Sequence, residues 1–572
     1  MNQAVMGEPV NDGSADDNGS TEGTATDDDA TLIDATLINA ALINDRALRR
    51  QAHRVLMVSF YGTEIPDWLA TGLANGIGSI CLFGTNLTGD DEQVRQLAAA
   101  LHKAAPDGTL VTLDEEGGDV TRLDALRGSP TAGHAVLGAA DDPALTRQVA
   151  AGLGRRLRDL GIDLDLGPVA DVNCEPDNPV IGVRSFGADP ALVARHVEAF
   201  VGGLQDAGTA ACVKHFPGHG ATVEDSHLSV PRLDIDLATL RNRELVPFAA
   251  AIRAGTAAVM TSHIVIAALD AERPATTSGP VLELLRRELG FEGVLVTDAL
   301  DMEGASGPYG GIPNAAVAAL VAGADLLCLG PDHYVGEQEV LLPDVVDAVI
   351  TAVREGRLES ARLAEAAARV DTLVDRLLRQ PVNQSAPPSD SASDEASTEP
   401  MTDPNPVAAR LALRLETADG VIPPLAGAVV VEFDVTPGIA AGPVPWGLAA
   451  PLARLLPEIE RRPADPEAFG SVAEHLKAAG TDRPLVAVVR DAHRHSWVAD
   501  QLAELAAVRP DLVTVETGWP VVDETGKPIG LPGATRVWTY GGSAVSLEAA
   551  ADLLAVRVTP ETIRTEPGGT TR

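Results

Sequence analysis

The chain of 572 residues has only four cysteines, no long apolar run and a shortage of positive charge. Cys81, Cys174, Cys212 and Cys328 are scattered, each in or just after an apolar run and without C-x-x-C spacing. That excludes a clustered zinc or redox motif and points to reduced thiols in a core, in a reducing compartment. No stretch of about 18 apolar residues occurs, so no membrane span is expected. The first residues, MNQAVMGEPVNDGSADDNGS, lack the basic and apolar regions of a secretory signal, so a cytoplasmic location is expected. Lys and Arg number 43 against 82 Asp and Glu, a formal charge of -39, which argues against nucleic acid or anionic membrane as a partner.

What is present divides along the chain. Residues 1–45 form an acidic leader, rich in Asp, Gly, Ser and Thr and with little to bury, for which disorder is expected. A three-fold repeat, ATLID, ATLIN, AALIN, ends it; stacked repeat folds need more units, so it reads as a local duplication or short docking segment. A Pro/Ser/Asp-rich linker at 380–406 separates a block at 46–379 from a smaller one at 407–557, and 558–572 reads as a flexible tail.

The larger block alternates short apolar runs with amphipathic stretches. The runs are VLMVSF (55–60), SICLFG (79–84), TLVTLDEEGG (109–118), IDLDLGPVADVN (162–173), AACVKHFPG (210–218), AAVMTSHIV (257–265), GVLVTDALDM (293–302) and DLLCLG (325–330). Helices are expected between them, for example over 90–105, 144–161 and 279–290, with Asp opening the first and glycine closing the other two. Eight such units predict a (β/α)8 TIM-type barrel, with a doubly wound sheet as the alternative. In a barrel the polar residues of the site gather at the carboxyl ends of the strands. Here those positions hold Asp114-Glu115-Glu116-Gly117-Gly118, Asp171-Val172-Asn173, Lys214-His215, Ser262-His263 and Asp298.

The densest cluster is KHFPGHGATVEDSH, residues 214–227. Pro217, Gly218 and Gly220 require a loop beyond the strand. Its histidines can be read as ordinary loop polar groups. A second reading takes His215, His219, His227 and Asp225 as metal ligands, although a Pro-Gly turn is not the helix on which H-x-x-x-H sites are built. In the third, Asp225 orients His227 as a proton-transferring dyad, and this fits best.

KHFPGHG followed by DSH resembles the signature of NagZ-type β-N-acetylglucosaminidases of glycoside hydrolase family 3, here in a two-domain form. LMVSF-YGTEIPDWL, SICLFGTN, LDEEGGDVTRL, LGPVADVNCEPDNPVIGVRSFG and VTDALDMEGA resemble further segments of that family in order, over about residues 50–375. The resemblance implies that Asp298 is a nucleophile forming a covalent glycosyl-enzyme and that His227, paired with Asp225, is the general acid/base. It also implies that Asp114, Arg122, Arg184, Lys214 and His215 hold the sugar. A retaining hydrolase of this kind needs one carboxylate below the anomeric carbon and one proton donor beside the leaving oxygen. The implied substrate is terminal β-linked N-acetylglucosamine, as found in peptidoglycan recycling fragments. No cofactor and no metal ion are expected, the only partner is a small carbohydrate, and no motif fixes an oligomeric state. Phosphorolysis on the same site is the alternative, with a β-glucosidase or a metal-dependent hydrolase less favoured. The family often has Arg after the double glycine where this chain has Asp119, which puts in doubt any contact that arginine makes.

In the smaller block, AVVVEF (428–433), PLVAVV (484–489), LVTVET (512–517) and TRVWTY (535–540) predict strands of a three-layer α/β domain. It carries no catalytic constellation; His493 and His495 read as loop residues facing solvent, and a structural role against the barrel is expected.

Overall fold

The computed structural model describes residues 44–225, 229–331, 337–379, 403–435, 438, 440–442, 446–464, 480 and 482–555. The leader up to residue 43, most of the repeat, the linker over 380–402, the tail and His227 lie outside the described residues. Two compact units are distinguished, Met1–Leu48 and Arg49–Arg572; of the first, only residues 44–48 are described, all helical.

The second unit opens with eight parallel strands: β1 Leu56–Val58, β2 Ser79–Leu82, β3 Leu110–Leu113, β4 Leu164–Asp165, β5 Ala210–Phe216, β6 Ala258–Thr261, β7 Val294–Val296 and β8 Leu327–Cys328. They pair in chain order, and β8 returns to β1 through Leu56↔Leu327. A bridge between Val296 and Leu326 closes the ring, so the fold is a (β/α)8 barrel. Each strand lies in one predicted apolar run. Parallel strands covered on both faces need continuous rather than alternating hydrophobicity, and these runs are continuous. Met57, Cys81, Leu110, Leu164, Cys212, Met260 and Val294 meet in the interior. Cys81, Cys212 and Cys328 are buried free thiols, whereas Cys174 is half-buried, so the reading of all four as core residues holds for three.

Helix α1, Asp91–Ala104, starts where Asp90 Oδ1 accepts from the Glu92 amide at 3.0 Å. It buries Val94, Leu97, Ala98 and Leu101, the one-face spacing of a helix on a sheet. Helices α2, Pro143–Leu160, and α3, Pro190–Asp206, each have Asp at the cap and Pro at the first position. Gly161 ends α2 at φ 82°, a left-handed conformation that glycine adopts without strain. Where α2 and α3 cross, a side chain on Gly203 would lie 2.3 Å from the Arg147 carbonyl, so only glycine permits this approach.

The C-terminal domain is a second sheet. Strand β9, Arg414–Thr417, is antiparallel; β10 Val429–Phe433, β11 Glu460–Ala464, β12 Leu485–Val489, β13 Val513–Glu516 and β14 Thr535–Trp538 are parallel, in the order β9-β14-β13-β12-β10-β11. Alternate residues pack on opposite faces: Val429 and Val431 join Leu502 and Leu505, while Val430 joins Leu452 and Leu547. The domain therefore has three layers. Edge strands β9 and β11, sequences RLET and ERRPA, are too polar to stand out as apolar runs. Among the described residues no helix is long and apolar enough to cross a membrane.

Candidate active site

The residues after β3 continue Asp114, then a short hairpin of Glu115–Gly117 against Val120–Thr121. Gly117 and Gly118 make its turn at φ 73° and 63°, and a side chain on Gly118 would lie 2.7 Å from Gly133 Cα. In extended chain successive side chains alternate, so Asp114 and Glu116 face one way and Glu115 the other.

On the mouth side, Lys214 Nζ lies 2.7 Å from Asp114 Oδ1 and 2.8 Å from Glu116 Oε1. Arg122 Nη2 donates to Asp114 Oδ2 at 3.1 Å. Arg184 donates twice to Glu116, Nε at 2.9 Å and Nη2 at 2.7 Å, and Nη1 reaches the Val180 carbonyl at 3.1 Å. Three cations thus share two carboxylates in a place where Lys214 and Glu116 are each only 2% exposed. Unpaired, each such charge costs several kcal/mol in lost hydration.

Protonation states follow from this pairing. Burial pushes the Asp114 carboxyl up, but Lys214 and Arg122 more than reverse it and leave it at about 2. Glu116 is likewise held well below the usual range, burial being overcome by Arg184 and Lys214. Burial alone lowers Lys214, and Asp114 and Glu116 raise it above its ordinary value. At neutral pH the network is fully charged.

His215 is fixed beside it. Its Nδ1 donates to Asp171 Oδ2 at 2.7 Å, which leaves Nε2 to accept from Arg184 Nη2 at 3.3 Å. Asp171 Oδ1 also accepts the His219 amide at 2.7 Å. Burial pushes Asp171 up, and His215 and His219 beside it bring it below the usual carboxylate range. His219 gives Nδ1 to Thr222 Oγ1 at 2.7 Å, and burial pulls its imidazole down to about 4. Asp298 follows β7, and its Oδ1 accepts from the Ala299 amide at 2.8 Å. The next helix, Glu303–Ser306, begins after Met302, so Asp298 does not cap it.

Asp114, Arg122, Arg184, Lys214, His215 and Asp298 all line one cavity of about 930 Å³ at the barrel mouth. Asp225 lines an adjoining cavity of about 230 Å³, and the two share Val120, Val180, Arg184, Ala440 and Ala441. Among the described residues no three His, Cys, Asp or Glu side chains are grouped to hold a metal ion. Such a cavity offers fixed donors and acceptors for several hydroxyls beside the Asp298 carboxylate on its wall.

The sequence places Glu116 and Asp171 at strand ends and offers His219 as a possible metal ligand, but assigns none of the three to the sugar site; the segment Ala440–Gly442 is a fourth component that it misses. Alternation from Asp114 was the signal for Glu116. For Asp171 it was the strand-end position, and for His219 the cluster itself. Nothing in Ala440–Gly442 marks it, yet it lines the cavity, and the Ala440 carbonyl accepts from Arg122 Nη1 at 3.1 Å. The C-terminal domain is therefore in contact with the site. His493, expected in a solvent-facing loop, is exposed and meets the Pro176 carbonyl of the barrel domain at 3.0 Å. Asp119 pairs with Arg490.

Residues 50–373 match the N-terminal domain of glycosyl hydrolase family 3. Beta-hexosaminidase of Stenotrophomonas maltophilia (strain R551-3) is 35% identical over 318 residues, covering 54% of this chain and 90% of that protein. Beta-hexosaminidase A of Pseudoalteromonas piscicida is 33% identical over 337 residues; the match covers 54% of this chain and 55% of that relative, so the chain spans about half its length. A solved family 3 β-N-acetylglucosaminidase from Paenibacillus sp. str. FPU-7 superposes with TM-score 0.76 at 31% identity, over 90% of this chain and 97% of that one.

Proposed function

The chain belongs to glycosyl hydrolase family 3 and is a glycoside hydrolase, and we propose that it is a retaining exo-β-N-acetylglucosaminidase releasing terminal β-linked N-acetylglucosamine. The observation that carries this reading is the single mouth cavity in which Asp298 meets the network of Asp114, Glu116, Arg122, Arg184, Lys214 and His215. The names of the relatives support the choice of sugar.

In the proposed reaction Asp298 attacks the anomeric carbon as the bond to the leaving oxygen breaks, and His227, oriented by Asp225, gives that oxygen its proton. A covalent glycosyl-enzyme results. His227 then takes a proton from water, whose oxygen displaces Asp298 and restores the original anomeric configuration. Charged hydrogen bonds to the hydroxyls strengthen as the ring approaches an oxocarbenium ion, which is how Asp114, Arg122 and Lys214 lower the barrier. The substrates we favour are peptidoglycan recycling fragments in the cytoplasm.

Turnover of an aryl β-N-acetylglucosaminide tests the reading, with the aryl β-glucoside alongside. Asp298→Asn and His227→Ala should each lose about 10²-fold or more in kcat. Near-normal turnover by Asp298→Asn would refute the nucleophile, preference for the glucoside would refute the sugar, and a glycosyl phosphate product in phosphate buffer would redirect the reading to phosphorolysis.

A further inference from the structure

The segment that carries Arg122 is held by the C-terminal domain on both sides. Upstream, Asp119 sits in the turn of the hairpin, 4% exposed. Its Oδ1 accepts from the Gly542 amide at 2.8 Å, and its Oδ2 from Arg490 Nη1. Arg490 directly follows β12, and Gly542 comes shortly after β14, so the carboxyl edge of the second sheet grips the hairpin tip. Downstream, Trp446 Nε1 donates to the Ala125 carbonyl at 3.2 Å. Arg122 lies between these anchors and itself reaches the Ala440 carbonyl, while Ala440, Ala441 and Gly442 wall the sugar cavity. Asp119 and Arg490 also line the adjoining cavity that holds Asp225.

We propose that the C-terminal domain is a working part of the site, and that the buried Asp119–Arg490 pair is the device that makes it so, holding Arg122 and the Ala440–Gly442 wall in place around the sugar. Asp119 and Arg490 are positioning residues. A carboxylate this buried needs its cation. Without Arg490 the hairpin tip is driven toward water, and Arg122, three residues further along the same hairpin, moves with it.

The inference rests on the reading that the mouth cavity holds the sugar. It is tested on full-length Asp119→Asn, Arg490→Gln and Arg490→Lys, assayed at a temperature where circular dichroism reports each as folded. Results are expressed relative to the parent on whichever aryl β-glycoside the parent cleaves fastest, so a wrong sugar assignment leaves the ratios unchanged. Asp119→Asn and Arg490→Gln should raise KM about tenfold with kcat changed far less, and Arg490→Lys should recover part of the loss. KM within twofold of the parent in both folded variants overturns the proposal. Should either variant fail to fold, Ala441→Trp decides: bulk on the wall should raise KM with the melting temperature unchanged, and an unchanged KM overturns the proposal.

Discussion

The barrel mouth and the layer just beneath it are built from consecutive residues and behave oppositely. Asp114 and Glu116 face the mouth, meet Lys214, Arg122 and Arg184, and keep their charge. Glu115, between them, faces inward, and burial pushes it up to about 7, with the Leu123 and Arg122 amides only partly opposing. Asp165, whose Oδ1 accepts the Glu115 amide at 3.0 Å, is raised well above the usual range by burial. Glu116 and Lys214 of the mouth are as fully buried as Glu115 and Asp165 beneath it, so depth alone does not separate the layers. Access to a cation does.

The largest effect that can break this contrast is removal of the shared cation. Lys214→Met should cost about 3–5 kcal/mol in chemical denaturation, because it takes a shared cation from two buried carboxylates and leaves Asp114 with Arg122 and Glu116 with Arg184 alone. A loss under about 1 kcal/mol would mean the mouth is no more charge-dependent than a surface pair.

The next effect is a pH dependence of opposite sign in the two layers. Glu115 is protonated more readily folded than unfolded, so its contribution is full below its ordinary value of 4.5 and is lost as pH rises toward about 7. That shift corresponds to a ceiling of about 3 kcal/mol. Asp114, lowered from 3.8 to about 2, contributes fully above 3.8 and is lost as pH falls through about 2. Urea melts across pH should therefore show a falling limb between 4.5 and 7 that is shallower in Glu115→Gln, with the part due to Asp165 remaining, and an unchanged acid limb. A limb unchanged by this substitution would place its origin elsewhere.

The smallest expected effect sharpens the comparison within the mouth. Arg184→Lys keeps the charge but gives up the two-pronged contact with Glu116, and should cost roughly 1–2 kcal/mol by denaturation. An equal loss in Arg184→Lys and Arg184→Met would show that geometry, not charge, is what Glu116 requires.

Much of this was legible in the sequence. The barrel was readable because parallel strands buried on both faces leave eight continuous apolar runs, and the acidic and basic residues that end them fell where a barrel collects its site. Asp114, Arg122, Arg184, Lys214, His215 and Asp298 stand out in the sequence and line one cavity. Glu116 was hidden by its neighbours, since three acids in a row look alike until the alternation of an extended chain is applied to them. The edge strands of the second sheet were too polar to be seen as apolar runs.

Local periodicity, backbone freedom and side-chain chemistry suffice for the order of the barrel's strands and helices, the loop built by Pro217, Gly218 and Gly220, and the residue types able to carry glycosidase chemistry. Folding alone settles which acids stay charged, because that depends on which cation it brings within about 3 Å. It alone joined Asp119 to Arg490 and set Ala440–Gly442 against Arg122. Contacts between residues more than 300 positions apart leave no local pattern, and three small residues gain a role in the site only from where the second domain sets them.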